Sequence, residues 1–397
     1  MYNWKKAYLH CNGCIEARME TAQLEKFLEL NGISIVKNPS EADVVLVYAC
    51  GLTQEDAQLS AEIIKDIKSK SRKDADFIVW GCLPHIDPLT LRKVHKGMSF
   101  GRSNVHILEK FIDAKVRYED VTVNYLFPVD LRRGGRRKVR DLTSFLEWLN
   151  YRLRSRFAPI ADGKIYYIMT SRGCLGNCTF CSDKRSCGMI RSKPKERIVE
   201  EFKKGLEKGY KVFNLVATDL GAYGRDRGYR LDDLLREITA IEGDYKLILG
   251  NVNPYHLKEM FDGLEDIFKS GKVGLLGSSA QTGSNRLLKL MGRRYTVEEF
   301  KECITAVKSL TPKTLLWTQI MAGFPAETEE DFRETLKLLD EIKFDFVQVF
   351  KFSERPTVPA SRLWGSLPRE VVEKRYRRLL IKAIQNEILR KIERMRQ

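Results

Sequence analysis

Residues 165–181 read IYYIMTSRGCLGNCTFC, a short apolar run followed at once by three closely spaced cysteines. The run Ile165–Thr170 is typical of a buried strand, and the cysteines come at its carboxyl end. That end of a strand is where parallel α/β barrels carry their catalytic groups. The thiols of Cys174, Cys178 and Cys181 are separated by three and then two residues, and each can hold one iron of a cubane cluster. The fourth iron would then stay open to a small molecule, as catalytic metals generally do.

A zinc site is the alternative interpretation of this cysteine loop. Structural zinc usually takes four ligands, most often from two paired knuckles, and no second pair follows here. Cys187 offers a fourth thiol, but the glycine and basic residues around it fit a loop better. The three-cysteine pattern therefore favours an iron–sulfur cluster.

The segment from residue 161 to 366 alternates strands with helices six times. Strands are predicted at Ile165–Thr170, Val212–Ala217, Lys246–Asn251, Val273–Ser278, Thr314–Met321 and Phe346–Phe352. Helices are predicted between them, among others at Pro194–Lys208, Leu231–Ile241, Thr296–Leu310 and Glu327–Ile342. Six βα units indicate a partial (βα)6 barrel, with a second doubly wound sheet as the alternative. Residues 367–397 are predicted to form a basic helix whose apolar side consists of Leu379, Leu380, Ile384, Ile388 and Ile392.

Residues 1–115 show a shorter alternation of the same kind. Apolar runs at Ala7–His10, Ala42–Ala49 and Ala75–Trp80 are separated by helical patterns at Glu16–Asn31 and Gln54–Lys70. This β-α-β-α-β order predicts a parallel, flavodoxin-like sheet. Residues 116–160 fit neither pattern and are interpreted as a basic interdomain segment.

A cysteine follows each of the three predicted strands of this first domain: Cys14, Cys50 and Cys82. The carboxyl ends of parallel strands share one edge of a sheet, so these thiols are expected to converge and to hold a second cluster. The alternative is three buried core cysteines. Cys11 and Cys14 also form a C-x-x-C pair, which alone is compatible with a redox dithiol. Cys187 and Cys303 have no identified partner, and the helical pattern around Cys303 favours a core position.

The composition is that of a folded protein of 397 residues, long enough for two or three domains, with 43% hydrophobic and 31% charged residues. No apolar run approaches the roughly 20 residues of a membrane span. The amino terminus lacks the apolar core of a signal peptide. Nine cysteines in such a chain point to metal or redox chemistry in the cytoplasm rather than to disulfides.

The net charge of +16 is concentrated in two segments. Residues 131–156, which begin with the basic run Leu131–Arg140, contain nine basic and two acidic residues, and residues 368–397 contain ten and four. Each segment is either a solvated helix face or a docking surface for RNA phosphates or an acidic peptide. Phe145, Trp148 and Tyr151 lie inside the first patch, where helical spacing favours core positions over base stacking.

Several further segments resemble the radical S-adenosylmethionine (SAM) methylthiotransferase family of the MiaB and RimO type. The resemblance covers residues of about 7 to about 385. Phe180 before the last cysteine of the loop is similar to the general radical SAM signature. The other similar segments are Gly13-Cys14 with Glu20-Thr21, Ser192-Lys193-Pro194, Asp219 to Tyr223-Gly224, Ser279–Thr296, Ala322–Phe332 and Phe350–Ala360.

The resemblance implies two 4Fe–4S clusters and SAM as cofactors. Cys174, Cys178 and Cys181 would hold the cluster that binds and reductively cleaves SAM, which yields a radical able to abstract hydrogen from an unactivated C–H bond. Cys14, Cys50 and Cys82 would hold a second cluster that carries the sulfur to be methylated and transferred, and the spacing to Glu20 and Gly32 favours Cys14 over Cys11. A low-potential donor of the flavodoxin or ferredoxin type would supply the electron.

The resemblance also implies roles for residues outside the clusters. Phe180, Asp219, Gln281 and Gly323 are candidate cofactor contacts. Asp219, Tyr223 and Arg355 are candidate catalytic residues that touch substrate. Each has a structural alternative: Phe180 can simply pack, Gly323 can serve its turn, and Gln281 can cap a loop.

The sequence departs from the family in ways that bear on the substrate. Residues up to Gln397 read as a helix without alternating strands, so the family's small C-terminal TRAM domain is expected to be missing. Gln319 and Ala17 replace residues that are common in the family. The family modifies either an adenosine beside the tRNA anticodon or a protein side chain. Loss of a domain that grips a large substrate favours a peptide or protein, including a ribosomally made peptide natural product, over tRNA.

Two other functions fit the same residues. One is a non-catalytic zinc or RNA-binding protein on this scaffold, which would carry zinc in place of iron and sulfide. The other is a radical enzyme that uses its amino-terminal cluster for electron transfer alone. Of these functions, the sequence favours the two-cluster methylthiotransferase.

Overall fold

The structure is a computed structural model that describes residues 2–129, 141–156, 165–355 and 357–396, with the backbone alone over 151–156. The basic run Leu131–Arg140, the expected start of the barrel at residue 161 and the side chain of Tyr151 lie outside the described residues. The chain divides into two compact units. The first comprises Met1–Leu131, Arg172–Cys174 and Ser182–Met189, and the second comprises Arg132–Ser171, Leu175–Cys181 and Ile190–Gln397.

The first unit is built on a five-stranded sheet in which every pairing is parallel. Its strands are β1 Lys6–Cys11, β2 Ser34–Ile35, β3 Val44–Ala49, β4 Asp76–Gly81 and β5 Ser99–Gly101. The order β2-β1-β3-β4-β5 is that of flavodoxin-like folds and confirms the predicted class. All six residues of the central strand β3 are buried, which explains its uninterrupted apolar sequence.

Helices cover the sheet of the first unit. They are α1 Ile15–Leu30, α2 Gln54–Lys70, α3 Leu83–Ile86, α4 Pro88–Arg92 and α5 Leu108–Ile112. Helix α2 begins with a capping box between Thr53 and Asp56. Tyr118, Val121 and Phe127 pack in the core of this unit, so the beginning of the predicted interdomain segment belongs to it.

The second unit is built on a six-stranded parallel sheet. Its strands are β6 Ile165–Met169, β7 Val212–Val216, β8 Lys246–Leu249, β9 Val273–Gly277, β10 Leu315–Ala322 and β11 Phe346–Lys351. They lie side by side in chain order, without the reversal that defines a doubly wound sheet. This order is that of a partial (βα)6 barrel. Two further two-residue strands, Ser171–Arg172 and Arg191–Ser192, lie outside both sheets.

Helices of the second unit follow its strands. They are α6 Leu142–Arg156, α7 Lys195–Glu207, α8 Leu231–Ala240, α9 Pro254–Glu259, α10 Phe261–Lys269, α11 Asn285–Leu290, α12 Val297–Leu310, α13 Glu329–Glu341 and α14 Arg369–Met395. A short helix of the first unit, Asp183–Cys187, follows the cysteine loop. Capping boxes at Thr296 and Thr328 set the starts of α12 and α13.

The carboxyl-terminal helix α14 uses much of its positive charge inside the second unit. Arg375 donates to Glu327 at 2.8 Å, Arg394 donates to Asp345 at 2.7 Å, and Lys382 pairs with Asp340. The predicted apolar side is buried at Leu379, Leu380 and Ile384, whereas Ile388 and Ile392 are 43% and 42% exposed. The basic residues of α14 therefore attach the helix to the barrel as well as facing solvent.

Helix α6 packs against α14. Asn150 donates to Glu387 at 3.1 Å, and the Tyr376 hydroxyl donates to Glu147 at 3.0 Å. Phe145 and Trp148 stack on each other and are each 41% exposed, in contrast to the core positions expected for them. Across the described part of the chain, no helix is both long and apolar enough to cross a membrane.

Candidate functional site

Three cysteines lie at the carboxyl edge of the first sheet, as predicted. Cys14 precedes α1 as its N-cap residue, Cys50 follows β3 directly, and Cys82 follows β4. The Asn12 side chain accepts a hydrogen bond from the Cys50 backbone N–H at 3.1 Å and donates to Ser60 Oγ at 2.8 Å. The Cys82 N–H donates to the Ala49 carbonyl at 3.0 Å. These bonds join the loops that carry the three thiols.

Each of these cysteines has a glycine beside it in the sequence, and each glycine is tightly packed. A Cβ at Gly13 would lie 2.3 Å from Ala17 Cβ, one at Gly51 would lie 3.0 Å from Leu83 Cα, and one at Gly81 would lie 3.0 Å from the Ala49 carbonyl oxygen. A larger residue at any of the three would move the backbone that carries the neighbouring thiol. The glycines therefore let three backbone segments approach one another at this edge.

The thiols at this edge influence one another's ionisation. Burial raises the pKa of Cys50 well above its usual value, and the charges of Asp56, Cys82 and Cys14 raise it further. Burial also raises the pKa of Cys82 to about 11, against the opposing charge of Arg102. The Tyr48 hydroxyl lies 3.2 Å from the Cys82 sulfur. Cys82 and Cys14 thus both contribute to the raised pKa of Cys50.

A buried ion cluster lies beside the three thiols. The Arg102 side chain is 3% exposed and donates to Glu16 at 2.7 Å and to Glu20 at 2.9 and 3.0 Å. Both glutamates are on α1, which begins directly after Cys14. Arg172 pairs with Glu20 at 3.4 Å. Arg102 thus provides a fixed positive charge next to the sulfur-bearing edge.

The donor set at this edge fits an iron–sulfur cluster. Within the described residues, no three His, Cys, Asp or Glu side chains surround a single ion. In a cubane each thiolate binds its own iron, so the thiols are spread further apart than around one metal ion. Three thiols at this edge can supply one ligand to each of three irons of such a cluster, whereas a structural zinc ion usually takes four protein ligands.

The remaining cysteines occupy other positions. Cys11 is the last residue of β1 and is buried, and its sulfur accepts from the Gly13 N–H at 3.5 Å. Cys14 by contrast is exposed. Cys187 and Cys303 are both buried. The exposed member of the C-x-x-C pair is therefore the one at the edge with Cys50 and Cys82.

In the second unit, the cysteine loop is anchored through Thr179. Its N–H donates to the Met291 carbonyl at 3.0 Å, its hydroxyl donates to the Leu290 carbonyl at 2.8 Å, and its carbonyl accepts from the Ala360 N–H at 2.9 Å. The Cys181 N–H donates to the Cys178 carbonyl at 3.2 Å, which forms a tight turn between these two thiols. Cys174 belongs to the first unit, where its N–H donates to the Gly188 carbonyl at 3.2 Å.

A small pocket of about 20 Å³ lies beside Cys178 in the second unit. Arg293 is part of its lining. Its Nη1 donates to Cys178 Sγ at 3.2 Å, and its Nη2 donates to the Ser279 carbonyl at 3.0 Å. The cavity is lined by Gly176, Asn177, Cys178, Asn253, Tyr255, His256, Gly292, Arg293 and Arg294. The lining offers cationic, amide and aromatic groups next to a cysteine of the loop.

Asp219 and His256 form a buried polar pair in the same unit. Asp219 Oδ2 lies 3.8 Å from His256 Nε2, and Glu259 lies 3.2 Å from His256 Nδ1. Burial raises the pKa of Asp219, and the charges of His256 and Arg293 oppose that rise. Burial lowers the pKa of His256, and Asp219 opposes that fall. Such a pair can bind a polar group or retain a proton away from solvent.

The predicted cofactor contacts Phe180, Gln281 and Gly323 lie at different points of the second unit. Phe180 packs against the buried cluster that includes Met291 and Phe324. Gln281 is buried in a left-handed conformation, with φ of 67°, and its backbone bridges to the neighbouring strand β10. Gly323 has φ of 76°, and a Cβ there would lie 2.7 Å from Val372. The positive φ and the close packing against Val372 thus explain a glycine at position 323 without any cofactor contact, and that contact stays a prediction.

The other candidate catalytic residues, Tyr223 and Arg355, are both buried. Tyr223 has no exposed surface, and its hydroxyl donates to the Lys193 carbonyl at 2.9 Å. Arg355 is 3% exposed, and its N–H donates to Ser361 Oγ at 2.9 Å. The Tyr223 hydroxyl thus supports the loop at Lys193, and the catalytic roles of Tyr223 and Arg355 stay predictions.

Sequence reasoning missed four residues of these sites: Asn12, Arg102, His256 and Arg293. Arg293 lies in the segment Ser279–Thr296 that resembles the family, so this resemblance could have identified it as a candidate site residue. The other three are recognised only through their contacts, because a lone Asn, Arg or His carries no spacing signal.

Comparisons with known proteins agree with this architecture. A sequence profile of the radical SAM superfamily matches residues 168–339, and one of the "Uncharacterized protein family UPF0004" matches residues 6–101. The chain is similar to a "Probable threonylcarbamoyladenosine tRNA methylthiotransferase" of Pyrococcus horikoshii, with 34% identity over 94% of this chain and 83% of the relative. It is also similar to the threonylcarbamoyladenosine tRNA methylthiotransferase MtaB of Thermotoga maritima, with 31% identity over 91% of this chain and 78% of the relative.

Two further comparisons bear on substrate and fold. A tRNA-2-methylthio-N(6)-dimethylallyladenosine synthase of Aquifex aeolicus is 29% identical over 98% of this chain and 86% of its own length. The solved structure of the radical S-adenosylmethionine methyltransferase TsrM from Kitasatospora setae, with cobalamin and a [4Fe–4S] cluster bound, superimposes with a TM-score of 0.62. That match covers 90% of this chain and 77% of TsrM at 13% identity, and so shows a shared fold alone.

Proposed function

Since the chain belongs to the radical SAM methylthiotransferase family, we propose that it inserts a methylthio group into a threonylcarbamoyl-modified adenosine of tRNA. The observation that carries this proposal is the similarity to threonylcarbamoyladenosine tRNA methylthiotransferases over more than nine-tenths of the chain. Both relatives' names specify the nucleoside as well as the reaction. The comparisons support the tRNA alternative from the sequence and give no support to a peptide or protein substrate.

The cofactors of this enzyme are S-adenosylmethionine and two 4Fe–4S clusters. Bound together, they supply a radical that abstracts hydrogen from an unactivated C–H bond and a sulfur atom that becomes the methylthio group. Cys174, Cys178 and Cys181 would hold the cluster that binds S-adenosylmethionine. Cys14, Cys50 and Cys82 would hold the cluster that carries sulfur.

Residues of the first unit keep the sulfur-carrying edge in shape. Asn12 and Ser60 hold the Cys50 backbone, and the packed glycines allow the three loops to approach. Arg102 supplies a fixed positive charge beside thiols that lose their protons and become negative thiolates when they bind iron. These contacts all lie within the first unit.

Residues of the second unit orient the groups around Cys178. Arg293 holds its guanidinium on the Cys178 sulfur and on the Ser279 carbonyl. Asp219 and His256 provide a buried polar pair, and burial shields this pair from water. A low-potential flavodoxin- or ferredoxin-type protein remains the predicted electron donor.

Iron analysis tests the two-cluster arrangement. Protein reconstituted without oxygen should contain about eight irons per chain, and Ala replacement of Cys174, Cys178 and Cys181 together should reduce this to about four. Replacement of Cys14, Cys50 and Cys82 should have the same effect. About four irons in the intact protein, or zinc in place of iron, would contradict the assignment.

Nucleoside mass spectrometry tests the substrate. The reconstituted enzyme is incubated with S-adenosylmethionine, a reductant and tRNA that carries threonylcarbamoyladenosine. A nucleoside in which methylthio replaces hydrogen is expected. tRNA without the threonylcarbamoyl group and tRNA with dimethylallyladenosine serve as matched controls. Formation of 5′-deoxyadenosine without any methylthio nucleoside would favour a cluster used for electron transfer alone.

A further inference from the structure

Trp364 is 92% exposed, the highest exposure among the large hydrophobic residues that the structure describes. Trp4 and Trp80, by contrast, are buried. A tryptophan so fully in water gains nothing for the fold, and tryptophan is a residue type enriched at interfaces. Trp364 lies in the segment that follows the last barrel strand, after Lys351 and before α14.

The backbone around Trp364 is fixed on both sides. The Ala360 N–H donates to the Thr179 carbonyl at 2.9 Å, inside the cysteine loop. The Ala326 N–H donates to the Gly365 carbonyl at 2.8 Å. Gly365 has φ of 85°, and a Cβ there would lie 3.2 Å from Ala326 Cα. The exposed ring is therefore carried by an ordered segment, and it lies only four residues from a contact with the cysteine loop.

Two exposed arginines lie close to Trp364 in the sequence. Arg362 and Arg369 are exposed, and in the part of the chain described here neither forms an ion pair with a carboxylate. Arg375 and Arg394 of α14, by contrast, are paired with Glu327 and Asp345. Glu370 is the acidic residue next to Arg369 in the chain. We call Arg362, Trp364 and Arg369 the tryptophan platform.

We propose that the tryptophan platform binds single-stranded RNA, with Trp364 stacking on a base of the tRNA anticodon loop and the two arginines contacting its phosphates. The inference rests on the proposed function and adds to it the part of the chain that holds the substrate. Proteins recognise single-stranded RNA by stacking bases on aromatic rings and by neutralising phosphates with basic residues. An exposed ring flanked by two unpaired arginines has both properties.

The position of the platform explains which nucleotide it contacts. Since the Ala360 N–H donates to the Thr179 carbonyl, four residues of chain separate Trp364 from the cysteine loop, at most about 14 Å of extended backbone. The stacked base therefore belongs to the same loop as the reacting adenosine. Two exposed arginines within five residues of Trp364 favour a polyanion such as RNA over an apolar protein surface as its occupant.

Binding of an anticodon stem-loop RNA to the reconstituted full-length enzyme tests the proposal. Fluorescence anisotropy of labelled RNA is measured for the wild type, W364A and W364F, with Y125A as a control that removes another exposed aromatic residue. W364A should weaken binding by roughly 5-fold to 100-fold, because stacking of one base is lost. W364F should bind within about 3-fold of the wild type, because phenylalanine still stacks. Replacing Arg362 and Arg369 together by Gln should lower the salt slope of binding by about two.

The outcomes separate this inference from the proposed function. If the wild type has no affinity for the RNA at low salt, the proposed tRNA substrate fails. If the wild type binds and W364A binds equally well, the platform is refuted while the tRNA substrate stands. Loss of binding in both W364A and W364F would refute stacking, and equal loss in Y125A would refute the platform as a specific site. Iron content should be the same in all variants, since none of these side chains contacts a cysteine.

Discussion

The buried ion cluster at Arg102 yields a quantitative prediction. Replacing Arg102 by Met keeps an unbranched side chain but removes the guanidinium that bonds to Glu16 and Glu20, and of the two arginines on Glu20 only Arg172 remains. Three hydrogen bonds, of 2.7, 2.9 and 3.0 Å, are lost from a side chain that is 3% exposed. Breaking a buried ion pair by removing one partner costs about 3–5 kcal/mol, chiefly because the other charge stays desolvated. R102M should destabilise the first unit by that amount.

The second consequence concerns the thiols at the same edge. The charge of Arg102 opposes the rise that burial causes in the pKa of Cys82, so R102M should bind iron less well at the first site. Iron should fall from about eight toward about four per chain, with the remaining four on the other cluster. In R102K the free energy of unfolding should fall by about 1–2 kcal/mol and most of the iron should be retained. The positive charge stays, whereas the planar guanidinium that donates to both glutamates is lost.

Urea unfolding under anaerobic conditions measures the effect. Fluorescence reports on the first unit through Trp4 and Trp80, which are both buried there, once Trp148, Trp317 and Trp364 of the second unit are replaced by Phe. Arg117→Met is the control, because Arg117 and its partner Asp120 are 68% and 51% exposed and their pair contributes about 1 kcal/mol or less. An R102M transition at the same urea concentration as that of R117M, or unchanged iron content, would refute the reasoning.

Three further predictions concern single positions. Gly323→Ala should reduce stability by about 2 kcal/mol in urea unfolding, because φ of 76° strains an alanine and its Cβ meets Val372; equal stability would show that the turn relaxes. Asn12→Ala should lower iron at the first site, measured colorimetrically, because the Cys50 loop loses its anchor; full iron would show that the thiols hold their positions unaided. Cys303→Ala should cost about 1 kcal/mol and leave iron unchanged, since Cys303 is a buried core residue; a loss of iron would identify it as a ligand.

The regular elements were predictable because their signals are local. The buried strand at Val44–Ala49 and the helix Gln54–Lys70 appear in the structure within two residues of the predicted bounds. Strands Ser34–Ile35 and Ser99–Gly101 were missed, since two or three residues make no apolar run. The cysteines were located correctly at strand ends, because parallel topology converts a repeated position in the sequence into a shared edge.

The polar surroundings of the thiols were not predictable in the same way. Arg102 reaches Glu16 and Glu20 across more than 80 residues of chain, and nothing in the sequence marks that pair. The same limit applies to the substrate. The positive charge at the carboxyl terminus is compatible with a solvated helix face or with a docking surface, and in the structure Arg375 and Arg394 pair with acidic residues of their own unit. The net charge of a segment includes such arginines, although their charge is neutralised by carboxylates elsewhere in the chain.

The glycines beside Cys14, Cys50 and Cys82 have an evolutionary consequence. The cysteine side chains lie beyond the strand ends, so a descendant of this protein can exchange them without rebuilding the sheet. Gly13, Gly51 and Gly81 tolerate no such drift, because any side chain there meets a packed neighbour. In a lineage that abandons the sulfur chemistry, the glycines should outlast the cysteines. Glycines without neighbouring cysteines at these strand ends would then indicate that an ancestor held a cluster there.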